Sequence, residues 1–340
     1  MSIRRTPLHL RHVVLVVLTA SLTSLLPVAA ATAQSSRATA QSSRPTVIAT
    51  IPSGGGVITA NARTNRVYVG QDPLPSLAVI SGATNTVVGI VPTQGFHTGL
   101  ATDPFRNRIY VSQQFAGQVR VIDGSTDAVL SDCSPPGSGV VNGVAVNVST
   151  NRLYVVRNDA QLVAVADAAT CAPVATIPIN GPSAAHNGIT VNPRTNRVYV
   201  SNRFNNTVTV IDGATNTVVT TVPVGNEPRG VDVNPATNRV YVANIGDGTV
   251  SVISGASNTV TATTPVGTAP VEVRVNPARN RIYVTNNGSN TVSVIKGASN
   301  TVVATVPVGP QPDDLAVNPA TNRIYVANTG DNTVSVIADP

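Results

Sequence analysis

Val-Asn-Pro-Ala-Thr-Asn-Arg-Val-Tyr-Val-Ala-Asn, residues 233–244, decides the fold, because its centre is written seven times. Asn-Arg, one aliphatic residue and Tyr-Val surround Tyr68, Tyr110, Tyr154, Tyr199, Tyr241, Tyr283 and Tyr325, which are all the tyrosines of the 340-residue chain. They recur 42 to 45 residues apart, a period that belongs to solenoids and propellers. Outward from the tyrosine, the unit Gly230 to Gly267 holds four short alternating runs, 231–233, 239–242, 249–253 and 259–263, rich in Val, Ile and Thr. Period-two, β-branched text predicts strands. Asn-Pro-Ala-Thr-Asn (234–238), Asn-Ile-Gly-Asp-Gly (244–248) and Ser-Gly-Ala-Ser-Asn (254–258) separate them as turns.

Each unit therefore reads as a four-stranded antiparallel blade, and the chain as an all-β, seven-bladed β-propeller. The last unit has strand text near 315–317, 323–327 and 333–337 but no fourth strand before Pro340. The missing strand stands at the other end. Thr-Val-Ile-Ala-Thr-Ile-Pro (46–52) repeats the outer-strand text Thr-Val-Val-Ala-Thr-Val-Pro (301–307), so the N-terminal strand is expected to complete blade 7 and remove an open edge. The propeller is assigned to residues 46–340.

The same text, Val-Asn-Pro-Ala-Thr-Asn-Arg-Val-Tyr-Val-Ala-Asn followed by Thr-Val-Ser-Val-Ile (249–253) and Asn-Thr-Val (258–260), resembles the YVTN-type β-propeller repeat over residues 46–340. That resemblance implies a propeller in an exported or cell-surface bacterial or archaeal protein. It implies no single activity.

Upstream, Arg4, Arg5 and Arg11 precede an apolar run from Val13 to Ala31, broken by Pro27 and followed by small residues, the layout of a secretory signal over residues 1–33. A second small-residue site, 38–40, leaves the cleavage point open between the two, and residues 34–45 read as a linker. The interrupted run argues against a retained membrane span in the mature chain. The localisation expected is secreted, periplasmic or cell-surface. Without residues 1–33 the chain has 19 basic and 16 acidic side chains, and seven of the arginines belong to the repeat (Arg66, Arg108, Arg152, Arg197, Arg239, Arg281, Arg323). With one lysine, Lys296, and no cluster of charge beside stacking aromatics, nucleic-acid binding is not expected. An oxidising compartment would allow Cys133 and Cys171 to pair, but their spacing alone does not place the two Cα atoms in bonding range.

A site peculiar to this chain should lie where units depart from the repeat. Three residues before the first apolar residue of each inner strand the units have Gly55, His97, Val141, His186, Pro228, Pro270 and Pro312, so both histidines of the mature chain fall at one structural position, two blades apart. Thr98, Asn142 and Asn187 follow beside them. Loops joining second to third strands depart in the same sector, with Gln113, Phe115, Arg157, Arg203 and Phe204, and Phe96 adjoins His97. A polar and aromatic patch on one face suits a small-molecule, glycan or protein ligand. His97 or His186 could act as a general base or hold an ion, since an unperturbed imidazole titrates near working pH. Either could equally hydrogen-bond locally in place of the turn proline. In arrangement this resembles streptogramin lyases, whose motif text is absent. A second sector is charged: Asp232 and Arg274 share one inner-strand position, with Arg229, Glu272, Asp313 and Asp314 just above. The residues Glu272, Asp313 and Asp314 are either members of an ion-pair network or oxygen ligands for Ca²⁺, as in gluconolactonase-like propellers.

No Gly-x-Ser-x-Gly, phosphate-cradling loop, His-x-x-x-His or haem-attachment motif is present. The sequence thus points to an exported, monomeric binding or interaction module without cofactor, its ligand face on blades 2 to 4. The alternative is a lyase- or lactonase-type enzyme using His97 and His186.

Overall fold

The computed structural model describes residues 44–179 and 188–340. The leader (1–33) and most of the linker expected from the sequence lie outside them. The described chain forms seven four-stranded antiparallel sheets, each an uninterrupted meander except the last. In blade 5 the inner strand is Pro228–Asn234, followed by Arg239–Asn244, Thr249–Ser254 and the outer strand Thr259–Pro265. Inner strands of blades 2, 3, 5, 6 and 7 start three residues earlier than their apolar alternation suggests, at His97, Val141, Pro228, Pro270 and Pro312. A break in register, as between Pro228 and Val231, separates that first residue from the regular ladder and hides it from a period-two reading.

Blade 7 is built from both ends of the chain. Thr46–Pro52 pairs antiparallel with Thr333–Ala338, which pairs with Arg323–Asn328 and then Pro312–Asn318. The ring has no unpaired terminal blade.

The repeat text has physical reasons. In each turn from inner to second strand, the Asn before the repeat arginine (Asn65, Asn107, Asn151, Asn196, Asn238, Asn280, Asn322) has φ between 49° and 56°. Among non-glycine residues Asn adopts that left-handed conformation most readily. Its side chain also links blades. The Asn ending each inner strand donates through Nδ2 to the turn Asn of the next blade: Asn61 to Asn107, Asn147 to Asn196, Asn192 to Asn238, Asn234 to Asn280, Asn276 to Asn322 and, across the closure, Asn318 to Asn65, over 2.6 to 3.3 Å.

The junction of blades 2 and 3 lacks this bond because Asp103 stands where the donor Asn would be. Like the asparagines, it caps its own turn, accepting from Phe105 N and Arg106 N, but its carboxylate has no N–H to donate onward. Here a disulfide joins Cys133, on the outer strand of blade 2, to Cys171, in the outer turn of blade 3, with Cα atoms 5.2 Å apart. In blades 5 and 6 the corresponding pair is Thr264 Oγ1 donating to Asn300 O at 2.8 Å.

All seven tyrosines are fully buried and pack with aliphatic residues of the following blade, as Tyr241 does with Val273, Val275, Ile282 and Val284. Hydroxyls of Tyr68, Tyr110 and Tyr283 donate to Asp127, Ala168 O and Asp339. Those of Tyr154, Tyr199, Tyr241 and Tyr325 reach no described partner, so the packing of the ring, more than the hydroxyl, explains the repeat. No helix among the described residues is long and apolar enough to cross a membrane.

Candidate functional site

The ring encloses a depression of about 280 Å³ where the inner strands begin, lined by all seven blades. Its lining follows the register of those strands. The residue after the turn position contributes Gly56, Thr98, Arg229 and Asp313; the next contributes Val57, Gly99, Gly143, Gly188, Glu272 and Asp314; Leu100, Val144, Ile189 and Val231 form a deeper apolar layer. Blades 1 to 4 thus supply small and apolar groups with His97 and Asp72, whereas blades 5 to 7 supply the charge.

In the charged half, Arg229 makes a two-pronged contact with Asp313, Nη1 to Oδ1 at 2.9 Å and Nη2 to Oδ2 at 3.1 Å. Arg274 bridges Glu272 and Asp314, the latter at 3.3 Å. Asp314 also accepts from Ile58 N at 3.0 Å and Leu315 N at 2.7 Å, and Glu272 from Val273 N at 3.0 Å. Beneath them Asp232 accepts from Val233 N, Val275 N and Thr190 Oγ1. Burial drives the Glu272 carboxyl up to about 7; Arg274 opposes the shift and the nearby Asp314 adds to it. Burial likewise raises Asp314 and Asp232, against the pull of Arg274. Desolvation would lower the Arg274 guanidinium, but Glu272, Asp314 and Asp232 together leave it raised. Four carboxylates, those of Asp232, Glu272, Asp313 and Asp314, thus face two guanidinium groups.

The carboxylates considered as cation ligands are engaged by these arginines, and no group of three or more His, Cys, Asp or Glu among the described residues is arranged to hold a metal ion. Arg274 stands where a cation shared by Glu272 and Asp314 would sit.

The other candidates separate into those at the depression and those away from it. His97 lines the depression, yet its side chain is fully buried. Its Nε2 lies 2.5 Å from Thr93 Oγ1, and its Nδ1 faces Asp72 Oδ1 at 3.3 Å without hydrogen-bond alignment. Asn142 is buried beside the depression and does not line it. Gln113 is buried and donates to Asp132 Oδ1, which is also held by Arg120. Arg157 is buried with its guanidinium on the carbonyls of Pro135, Pro136, Gly139 and Gly117. Burial lowers its pKa, which Asp159 partly offsets. It organises the loop from blade 2 to blade 3. Arg203 pairs with Glu227 at the rim. Phe96 and Phe115 pack edge to face, centroids 5.9 Å apart, and both remain exposed, as does Phe204. His186 and Asn187 lie outside the described residues. Asp72, missed by the sequence reading, reaches the wall from the loop between second and third strands of blade 1, where its only signal was a departure from the repeat.

No curated protein matches the chain by sequence. Among solved structures, hydrazine synthase of Kuenenia stuttgartiensis superposes with a TM-score of 0.71 over 83% of this chain and 95% of that one, at 17% identity, a likeness of fold. The family described as "Lactonase, 7-bladed beta-propeller" matches residues 27–264, well over half of the sequence. The chain belongs to this seven-bladed β-propeller family.

Proposed function

We propose that the protein hydrolyses a small, uncharged lactone at the channel mouth, with Glu272 as general base. The observation that carries this reading is a carboxyl in the depression whose pKa burial lifts to about 7, where it can take a proton at working pH. A volume of about 280 Å³ suits a ligand of monosaccharide size. The arginines there are already paired with carboxylates, which favours a neutral ligand over an anion. In the reaction, ionised Glu272 takes a proton from water as the water oxygen attacks the lactone carbonyl. The ring C–O bond then breaks, and the proton passes from Glu272 to the leaving alkoxide, giving a hydroxy acid. Arg274 holds the Glu272 carboxylate in place. His97 is a wall residue here, facing Asp72.

Because the base must be ionised, the rate should rise with pH through about 7. A panel of γ- and δ-lactones followed by acid release, with Glu272→Gln alongside, tests the assignment. Turnover lost together with that pH limb supports it; a Glu272→Gln protein that keeps both excludes Glu272 as the base.

We also infer an exported protein with YVTN-type repeats. The leader-like residues 1–33, the repeat text and the disulfide, a bond that persists in oxidising compartments, support this. Fractionation of the native cell, with the protein found solely in the cytosol, would overturn it.

A further inference from the structure

We propose that the face opposite the channel mouth is a docking surface for an anionic phospholipid bilayer. Along the sequence the repeat arginines look evenly dispersed, but the propeller places the start of every second strand on one face, so all seven lie there. Turns on the same face add Arg63, Arg106, Arg194 and Arg279, and Lys296 ends a third strand there. Against these twelve cations the face carries six acids among the described residues: Asp103, Asp123, Asp127, Asp167, Asp212 and Asp339, of which Asp103 and Asp339 are buried. The excess is six positive charges. The channel-mouth half carries the reverse, ten acids against Arg120, Arg157, Arg203, Arg229 and Arg274. The described ring, with 18 basic and 16 acidic side chains, is therefore polarised across its thickness.

Several cations of the basic face have backbone carbonyls in place of carboxylates as partners. Arg63 donates to Phe105 O, Arg194 to Pro235 O and Arg239 to Gly297 O, so their charge is oriented without being neutralised. Arg63, Arg106, Arg194, Arg279 and Lys296 are exposed.

One observation favours a bilayer over a soluble polyanion. Phe105 is 72% exposed at the tip of the turn between the first two strands of blade 2, flanked by Arg106 and by the Arg63 that bonds its carbonyl. It is the one exposed aromatic of this face among the described residues. A lone protruding ring among cations suits partition into a headgroup layer, whereas single-stranded nucleic acid calls for successive stacking rings.

The ring closes on itself over residues 44–340 and can be tested without the apolar leader. Co-sedimentation would use phosphatidylcholine vesicles and vesicles containing one quarter phosphatidylglycerol, at low and high salt. We expect binding to the anionic vesicles alone, weakened by salt. Since each cation near such a surface contributes roughly fivefold, the triple reversal Arg63→Glu, Arg194→Glu, Lys296→Glu should lower binding by more than about tenfold with the β-sheet spectrum unchanged. Lys296→Glu alone, at an exposed position, should still weaken it several-fold if the triple variant does not fold. Phe105→Ala should remove the fraction that survives high salt. Equal binding to neutral vesicles, variants that bind like the parent, or capture on heparin without vesicle binding would each overturn the proposal.

Discussion

Blades 5 to 7 repeat their text most faithfully, and blades 1 to 3 depart from it most, yet the charge of the depression lies in the faithful half. The difference follows from which residues each departure touches. At the end of the second strand, blades 5, 6 and 7 place Asn244, Asn286 and Asn328, each donating from Nδ2 to a Thr and a Ser of the third strand over 2.9 to 3.1 Å. Blades 2 and 3 place Gln113 and Arg157 there. These side chains turn inward to serve Asp132 and four loop carbonyls. In the divergent half, polar novelty mostly rebuilds internal hydrogen bonds, whereas in the regular half three inner strands carry charge at positions that leave the loops unchanged.

The comparison can be broken most strongly at Arg274. Arg274→Gln leaves buried Glu272, Asp314 and Asp232 without their shared partner and should cost about 3–5 kcal/mol at pH 8. Because those carboxyls have raised pKa values, they protonate as pH falls, so the loss should shrink toward pH 5 in urea melts at the two pH values. A loss independent of pH would mean that the charged half is held by packing alone.

Next in size is the blade 2–3 junction, which lacks the Asn–Asn bond of the other six and carries a disulfide between its outer parts. Cys133→Ser with Cys171→Ser should cost about 2–4 kcal/mol in denaturant unfolding. Cys133→Thr with Cys171→Asn, which restores the blade 5–6 pair and suits the φ of 64° at position 171, should recover part of that loss. Recovery no better than with the serines would show that the junction depends on the covalent link.

Smaller still, Asn286→Ala removes three side-chain hydrogen bonds, to Thr291, Ser293 and Gly267 N, and should cost about 1–3 kcal/mol by thermal or denaturant melting. The smallest effect belongs to the exposed aromatics. Phe115→Ala should change stability by less than about 0.5 kcal/mol, and a larger loss would make the Phe96–Phe115 pair part of the framework.

Strand order, blade number and the N-terminal completion of blade 7 were legible because each rests on local text: alternation, turn residues and a matching outer strand. Alignment of the inner strands also grouped His97, Arg229, Glu272, Asp313 and Asp314 at the positions that line the depression. Side-chain direction could not be read in this way. Gln113 and Arg157 occupy loop ends where either an outward or an inward course is open, and the partners that draw them inward, Asp132 and the carbonyls of Pro135 and Gly139, lie about 20 residues away in sequence. The polarisation of the ring was hidden for the converse reason: arginines dispersed at 42- to 45-residue intervals become neighbours once the ring closes.

The pairing of residues 46–52 with 333–338 also sets a clock for biosynthesis. A ribosome delivers the first of these strands before any blade exists and the second after every other strand of the ring. Until the second emerges, the first exposes an uncharged β edge with nothing to pair against. A chain that lacks the second strand cannot close the ring, and a product shortened by a few residues before Ala338 would lose part of the seam that holds the circle shut.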